Sequence, residues 1–305
     1  MTSTASAPTR VHSAWRRRQR RLGWLYSTPA AVFVLLFFIV PLILAVWMSF
    51  NDWPLIGSPT FNGGANYAAI GQNQLFLQSI LFTVKWAVVT TVLFLVIALG
   101  LALLVQNARP GVGFFRTAFL LPAAVGLASC SLLFLGLYDN DFGPLDDVLH
   151  AIGWPAGRIN FLDTGDAAFT SVLVMVLWRF AGFNMIILLT GLQAIPTEVY
   201  EAARSDGATW WQTLRYVTLP LLRRTILLIM ILSVTGGLLA FEPFYVITQG
   251  GPTNSTVTMV ISMFREAFTL FHLGNAAAIA ITLLIVLVVI NALQLFLFRE
   301  REGRR

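Results

Sequence analysis

The chain has 305 residues, 57% of them apolar and 11% charged, with a mean hydropathy of +0.76. A soluble domain carries about 25% charged residues, so this composition excludes an ordinary water-soluble fold and makes the bilayer the solvent. The single cysteine excludes a disulfide framework, and one thiol is no metal site.

The chain opens on a basic tail, residues 1–23, holding Arg10, Arg16, Arg17, Arg18, Arg20 and Arg21. The net charge of +6 needs no nucleic acid to explain it. This arginine run reads as a topology anchor against anionic lipid. The first apolar run, 29–50, is too long for a cleaved signal peptide and is followed by no small-residue cleavage site. The next loop, 51–80, has neither Lys nor Arg. The second run, 81–106, carries the only lysine, Lys85, near its outer end, where a long side chain can snorkel to the interface. Arg109 and Arg116 follow. The third run, 118–137, is interrupted by Ser and Gly and contains the lone cysteine, Cys130, which reads as a small apolar filler. The loop 138–167 holds Arg158 against six aspartates.

The fourth run, 168–192, contains Trp178, Arg179 and Asn184. A connection with Arg204, Arg215, Arg223 and Arg224 leads to the fifth run, 225–246, with Glu242 near its outer end. The sixth, 276–298, precedes a tail with Arg299, Arg301, Arg304 and Arg305. Each run has the roughly 20 residues a spanning helix requires. Backbone groups in hydrocarbon must bond internally, so each is predicted to be helical. The chain is thus expected to be an all-α membrane protein with six transmembrane helices, and the arginine distribution predicts both termini in the cytoplasm.

Several chemistries are missing. A phosphate-binding loop needs a lysine among spaced glycines, and Lys85 sits in Thr83-Val84-Lys85-Trp86. The three histidines, His12, His150 and His272, have no metal-binding spacing. There is no Gly-x-Ser-x-Gly elbow. The chain is therefore expected to bind no cofactor itself and to catalyse no reaction.

The segment 196–220 is a polar unit between two apolar runs. Pro196 ends one helix or opens the next. Thr197 is positioned to cap a helix through Glu201, Ala202 and Ala203, with Glu198 and Glu201 favoured near its start by the dipole. Gly207 supplies the stop. Thr209 and Gln212 have the spacing of a capping box, which starts a second helix with Trp211, Leu214 and Thr218 on one face, ending before Pro220. The product is a helix-turn-helix at the membrane surface. Small residues at Ala202, Ala203, Gly207 and Ala208 permit close approach of a partner, and Glu201 and Asp206 offer charge-assisted bonds. Without a partner, the same unit reads as an interfacial amphipathic helix.

Glu201-Ala202-Ala203, then Gly207-Ala208 and finally Leu219-Pro220 resemble the coupling motif of the permease subunits of binding-protein-dependent ABC importers. The order of further motifs resembles their carbohydrate-uptake branch, relatives of the maltose and glycerol-3-phosphate permeases. These are Phe61-Asn62-Gly63 through Asn66-Tyr67, Phe114-Phe115-Arg116-Thr117 with Leu121-Pro122, Gly191 through Pro196, and Tyr245 through Pro252 with Thr256. Gly274-Asn275 and Leu214 depart from the commoner Gly-Tyr and Phe. The outer loops are too short for the extra periplasmic domain of the maltose permease.

The resemblance implies a type I ABC importer transmembrane domain over residues 24–299, followed by a short tail, 300–305. It implies a multi-pass protein of the bacterial cell membrane, partnered by a second homologous permease, an ABC ATPase dimer that binds ATP and Mg, and an extracellular or periplasmic solute-binding protein, with lipid around it. The coupling residues would be Glu201, Ala202, Ala203, Asp206, Gly207, Ala208 and Pro220. Sugars favour aromatic faces edged by hydrogen-bonding groups, so Asn184, Phe241, Glu242, Tyr245 and Arg179 are candidates for the solute pathway. Arg179 and Glu242 could instead form a buried ion pair. The competing reading is a stand-alone secondary carrier for a small polar solute, for which the expected internal repeat is not visible.

Overall fold

A computed structural model describes residues 11–107, 110–153 and 160–298, with side chains from Leu22 onward. Arg10, Arg109, Arg158 and the tail from Arg299 fall outside the described residues. Among the described residues, five helices are long and apolar enough to cross a membrane: Leu22–Ser49, Gln74–Val105, Gly165–Gln193, Arg223–Ile247 and Leu273–Phe298. Val112–Ala124 and Leu127–Leu137 meet the same criterion only as a pair bent by 94°, which gives a sixth candidate crossing when the pair is counted as one span.

Helix starts move outward from the apolar runs because polar residues cap them. Asn73 caps the second span by accepting from the backbone N–H of Leu75 (3.0 Å) and Phe76 (3.2 Å), so that the helix begins at Gln74, seven residues before the predicted start. Thr164 does the same for the fourth, accepting from Ala167 N–H at 3.2 Å. The first helix is continuous from Val11 through the arginine run, so the tail shares its backbone with the span.

Two spans predicted to be continuous are broken. The third breaks at Val125 and Gly126, whose ψ angles of 132° and 144° leave helical space after a 3₁₀ turn at Leu121-Pro122. The fifth breaks at 239–241, where Phe241 has φ −129° and ψ −67°, and restarts as Glu242–Ile247 with Pro243 in its first turn. Proline's missing N–H makes such sites tolerant of a break. Freed backbone groups then need new partners, as they would anywhere in hydrocarbon.

Two prolines are absorbed without a break. Pro41 follows a π turn at Leu35–Ile39, and Pro220 follows another at Leu214–Thr218. In both, the proline stands two residues after the turn ends. A widened turn takes the preceding carbonyls off the path of the proline ring.

The second span packs against the fourth and fifth, and the sixth packs on the end of the first, on the fifth and on the short helix Met259–Phe268. Trp86, Phe82, Phe169 and Phe244 meet edge to face at the centre, with ring centroids 4.7–5.9 Å apart. A second cluster gathers Ala98, Ala102, Met185, Leu188 and Ile229, all buried. Small residues set the helix spacing. A Cβ on Gly237 would lie 2.7 Å from Ala87 Cα, and one on Gly182 would lie 1.8 Å from the Phe119 carbonyl oxygen.

Valines 84, 88, 92 and 96 form an exposed apolar stripe on the second span, the surface a helix presents to lipid. Cys130 is fully buried. Lys85 reaches the end of its span, 3.8 Å from Asp166 and over the Phe169 ring.

Loop motifs fasten the spans together. Asn66 donates to the Ser49 and Asn51 carbonyls, each at 2.9 Å, and Tyr67 donates to the Ser49 hydroxyl at 2.8 Å. Gly274 sits so close to Asn51 that a Cβ would lie 2.4 Å from its carbonyl oxygen. The 248–256 loop is tied by the Thr248 and Thr256 hydroxyls (2.7 Å) and by Arg265, which donates to Gln249 O and Asn254 Oδ1.

Candidate functional site

At mid-depth, where the fifth span breaks, the bundle holds a cavity of about 540 Å³. Three of the five residues singled out for solute contact line it: Asn184, Phe241 and Glu242. Phe180, Phe183 and Trp86 add aromatic wall, and Thr90 and Ser233 add hydroxyls. Asn184 donates one N–H to Phe180 O (3.1 Å), and Thr90 donates to Trp86 O (2.8 Å). The break itself creates the recess, because the chain steps aside at Leu239–Phe241 instead of filling the space with another helical turn.

Tyr245 stands behind this wall. It stacks on Phe241 at 4.8 Å with an 18° interplanar angle, and Phe264 packs against both rings. Tyr245 therefore orients a lining residue and does not line the cavity.

Arg179 is placed differently from both sequence expectations. Its Nε donates to the Val125 carbonyl at 2.9 Å, and its guanidinium lies over the Phe180 ring. Breaking the third span orphans that carbonyl, and Arg179 satisfies it. No ion pair joins Arg179 to Glu242 among the described residues. Glu242 there has no hydrogen-bond or ion-pair partner at all.

The second site is the hairpin at the end of the fourth span. Its first helix is Thr197–Ser205, and Glu201, Ala202, Asp206 and Gly207 are exposed on it while Ala203 and Ala208 are half-buried. Thr197 does not cap this helix. Pro196, extended at φ −59° and ψ 141°, occupies the cap position with no side-chain bond, and Thr197 is already helical. Gly207 stops the helix at φ +75°, and Ala208 N–H reaches back to Ala203 O at 3.0 Å. Thr209 and Gln212 then form a reciprocal capping box, with Thr209 N–H donating to Gln212 Oε1 at 2.7 Å and Gln212 N–H to Thr209 Oγ1 at 3.4 Å.

The second helix departs from expectation twice. It continues through Pro220, because the π turn at Leu214–Thr218 accommodates the ring. Leu214 and Thr218 face inward, whereas Trp211 is 71% exposed. Residues three apart lie about 60° apart around a helix, and the buried stripe here is narrower than that. Trp210, Trp211 and Tyr216 form an exposed aromatic rim, the residue types favoured at an interface. Behind the hairpin lies a polar cleft of about 600 Å³ lined by Gln106, Gln193, Tyr200 and Arg204 among others. Among the described residues, no group of three or more His, Cys, Asp or Glu could hold a metal ion.

Three functional positions were not read from the sequence as such: Arg179 as the partner of a broken span, and Gly182 and Gly237 as contact points between spans. Their signals were present, since a proline and a glycine flank the broken turn and each glycine lies inside an apolar run.

A family model described as "Binding-protein-dependent transport system inner membrane component" matches residues 11–302. The chain belongs to this family. It is a multi-pass inner-membrane permease subunit of an ABC importer. The permease is 30% identical over 298 residues to the lactose transport system permease protein LacF of Rhizobium radiobacter, covering 96% of this chain and 99% of that one. It is 31% identical over 270 residues to the trehalose/maltose transport system permease protein MalF of Thermococcus litoralis, covering 88% and 90%. The fold matches a chain of a bacterial ABC transporter that imports the acidic polysaccharide alginate, with a TM-score of 0.82, 22% identity, and coverage of 95% and 100%.

Proposed function

We propose that this permease forms half of the pathway of an ATP-driven importer for a sugar or sugar derivative, beside a second, homologous permease. A separate ATPase dimer, which binds ATP and Mg, grips the hairpin at Glu201, Ala202, Ala203, Asp206, Gly207 and Ala208, while Pro220 fixes the root of its second helix. A solute-binding protein delivers cargo on the opposite side, to the loops 51–80, 138–167 and 250–273. Both termini lie on the hairpin's side, in the cytoplasm. Solute passes Asn184, Phe241 and Glu242, with Tyr245 and Arg179 supporting the wall.

The observation that carries this reading is the hairpin. It is an exposed, twice-capped unit with small residues at its turn and carboxylates beside them, rooted directly in the fourth and fifth spans. Movement of its tip is therefore transmitted to the helices that wall the cavity. The names of the matched relatives, which move lactose, trehalose and maltose, support a carbohydrate cargo. Nucleotide on one side and loaded binding protein on the other then bias two global states.

Gly207→Trp tests the coupling. Uptake into cells or proteoliposomes should fall to background while membrane insertion is retained, and an ATPase should co-purify with the wild type but not with the variant. Uptake that persists in G207W, or that survives ATP depletion, would favour a stand-alone secondary carrier.

A further inference from the structure

We infer that the mid-depth cavity is a charge filter, admitting neutral or amine-bearing carbohydrates and rejecting acidic ones through the Glu242 carboxylate. This rests on the transport reading above and specifies the class of cargo within it. Among the described residues, Glu242 is the only ionisable one lining the cavity. No cation among the described residues forms an ion pair with it, and three cations on the surrounding helices are engaged elsewhere. Arg179 is held on Val125 O and over Phe180. Arg265 is held on Gln249 O and Asn254. Lys85 lies beside Asp166.

The remaining lining points the same way. Recognition of a carboxylate or phosphate uses Arg or Lys, whose charge-assisted bonds repay the desolvation of the anion. Among the described residues, no Arg or Lys lines this cavity. Thr90 and one N–H of Asn184 are already committed to backbone carbonyls, so their oxygens remain to accept, while the second Asn184 N–H and the Ser233 hydroxyl stay open to a sugar oxygen. A ligand rich in hydroxyl donors, or carrying an ammonium, meets acceptors and aromatic faces. An acidic sugar instead brings a second negative charge beside Glu242 with no cation to offset it. An unpaired charge set against the wrong ligand is a direct route to specificity. A volume of about 540 Å³ falls within the ordinary range for small-molecule sites. The alginate importer, whose fold this chain shares, shows that the architecture itself permits acidic cargo, so the discrimination must reside in lining residues.

The test is equilibrium binding to the complete transporter in nanodiscs without its binding protein, so that the cavity alone discriminates. The probes are radiolabelled maltose, a glucosamine disaccharide held below the pKa of its amines, and an alginate disaccharide. The wild type should bind the glucosamine dimer at least as well as maltose, and the alginate dimer about tenfold more weakly or worse, as like charges brought together disfavour the wrong ligand. Glu242→Gln should shrink that gap by roughly tenfold, and Glu242→Lys should invert the order. Equal binding of maltose and the alginate dimer to the wild type overturns the assignment. So does an unchanged ratio in E242Q, which would mean that a cation of the partner permease already neutralises Glu242, and so does failure of all three probes to bind. The wild-type ratios need no variant to fold, and they stand apart from ATPase co-purification, which tests the coupling reading by itself.

Discussion

Single residues in this permease are constrained mainly by close backbone approach and by orphaned carbonyls. A methyl on Gly182 would sit 1.8 Å from Phe119 O. That neighbour is backbone and cannot rotate away. Gly182→Ala should therefore destabilise the folded protein by about 3 kcal/mol or more, read as a collapse of the monodisperse peak after mild heating in detergent. Gly207 is the opposite case. Its Cβ direction is open space, but its φ is +75°. Gly207→Ala should cost only the left-handed backbone penalty, about 1–2 kcal/mol, and leave uptake measurable, in contrast to the tryptophan variant. Arg179→Met strands the Val125 carbonyl and should cost about 1–3 kcal/mol. A drop in thermal midpoint while probe ratios at the cavity stay fixed would mark the role as structural. Arg179 also shows where reading from sequence stopped. An arginine inside an apolar run announces a polar partner, yet the partner proved to be a backbone oxygen created by a break 54 residues away, and no side-chain inventory contains that oxygen.

Helices were legible wherever hydropathy decides them and obscure wherever the backbone does. The five long apolar helices, and the bent pair counted as a sixth, lie where apolar runs predicted them, since a bilayer admits few alternatives. Their ends were missed because Asn73 and Thr164 extend a helix through polar residues that a hydropathy window discounts. The breaks in the third and fifth spans were missed for a related reason. Val125 and Phe241 are themselves apolar, so their leaving helical space leaves no mark of its own in a hydropathy profile. At the hairpin, local chemistry was a better guide. The left-handed stop at Gly207 and the box between Thr209 and Gln212 follow from short-range rules, whereas the passage of the helix through Pro220 depends on a π turn that no residue type demands. Thr209→Ala should remove the box at a cost of about 1 kcal/mol, and Thr209→Ser should restore most of it. The readout is ATP hydrolysis stimulated by loaded binding protein, which should fall in the first variant and recover in the second.

At the scale of the molecule, the fold sets a cavity inside the bundle and the exposed hairpin at one end, joined by the fourth and fifth spans that reach both. The first span contributes little to that core. The hydrophobic window of Leu22–Ser49 has none of its residues buried within the chain, so its environment is lipid or another subunit. Sidedness can be checked directly, because Cys130 is fully buried and leaves the native chain without an accessible thiol. A cysteine replacing Phe142, which is 91% exposed in the loop after the third span, should react with an impermeant maleimide in intact cells. A cysteine replacing Trp211 should react only after permeabilisation, and the reverse pattern would invert the proposed orientation. The lone lysine has a practical consequence of its own. Lys85 stands half-exposed beside Asp166, at the rim far from the hairpin, and no second ε-amine competes with it. Ester-activated glass would therefore have one side-chain handle to grasp, and molecules tethered by it would all be fixed to the support through the same rim.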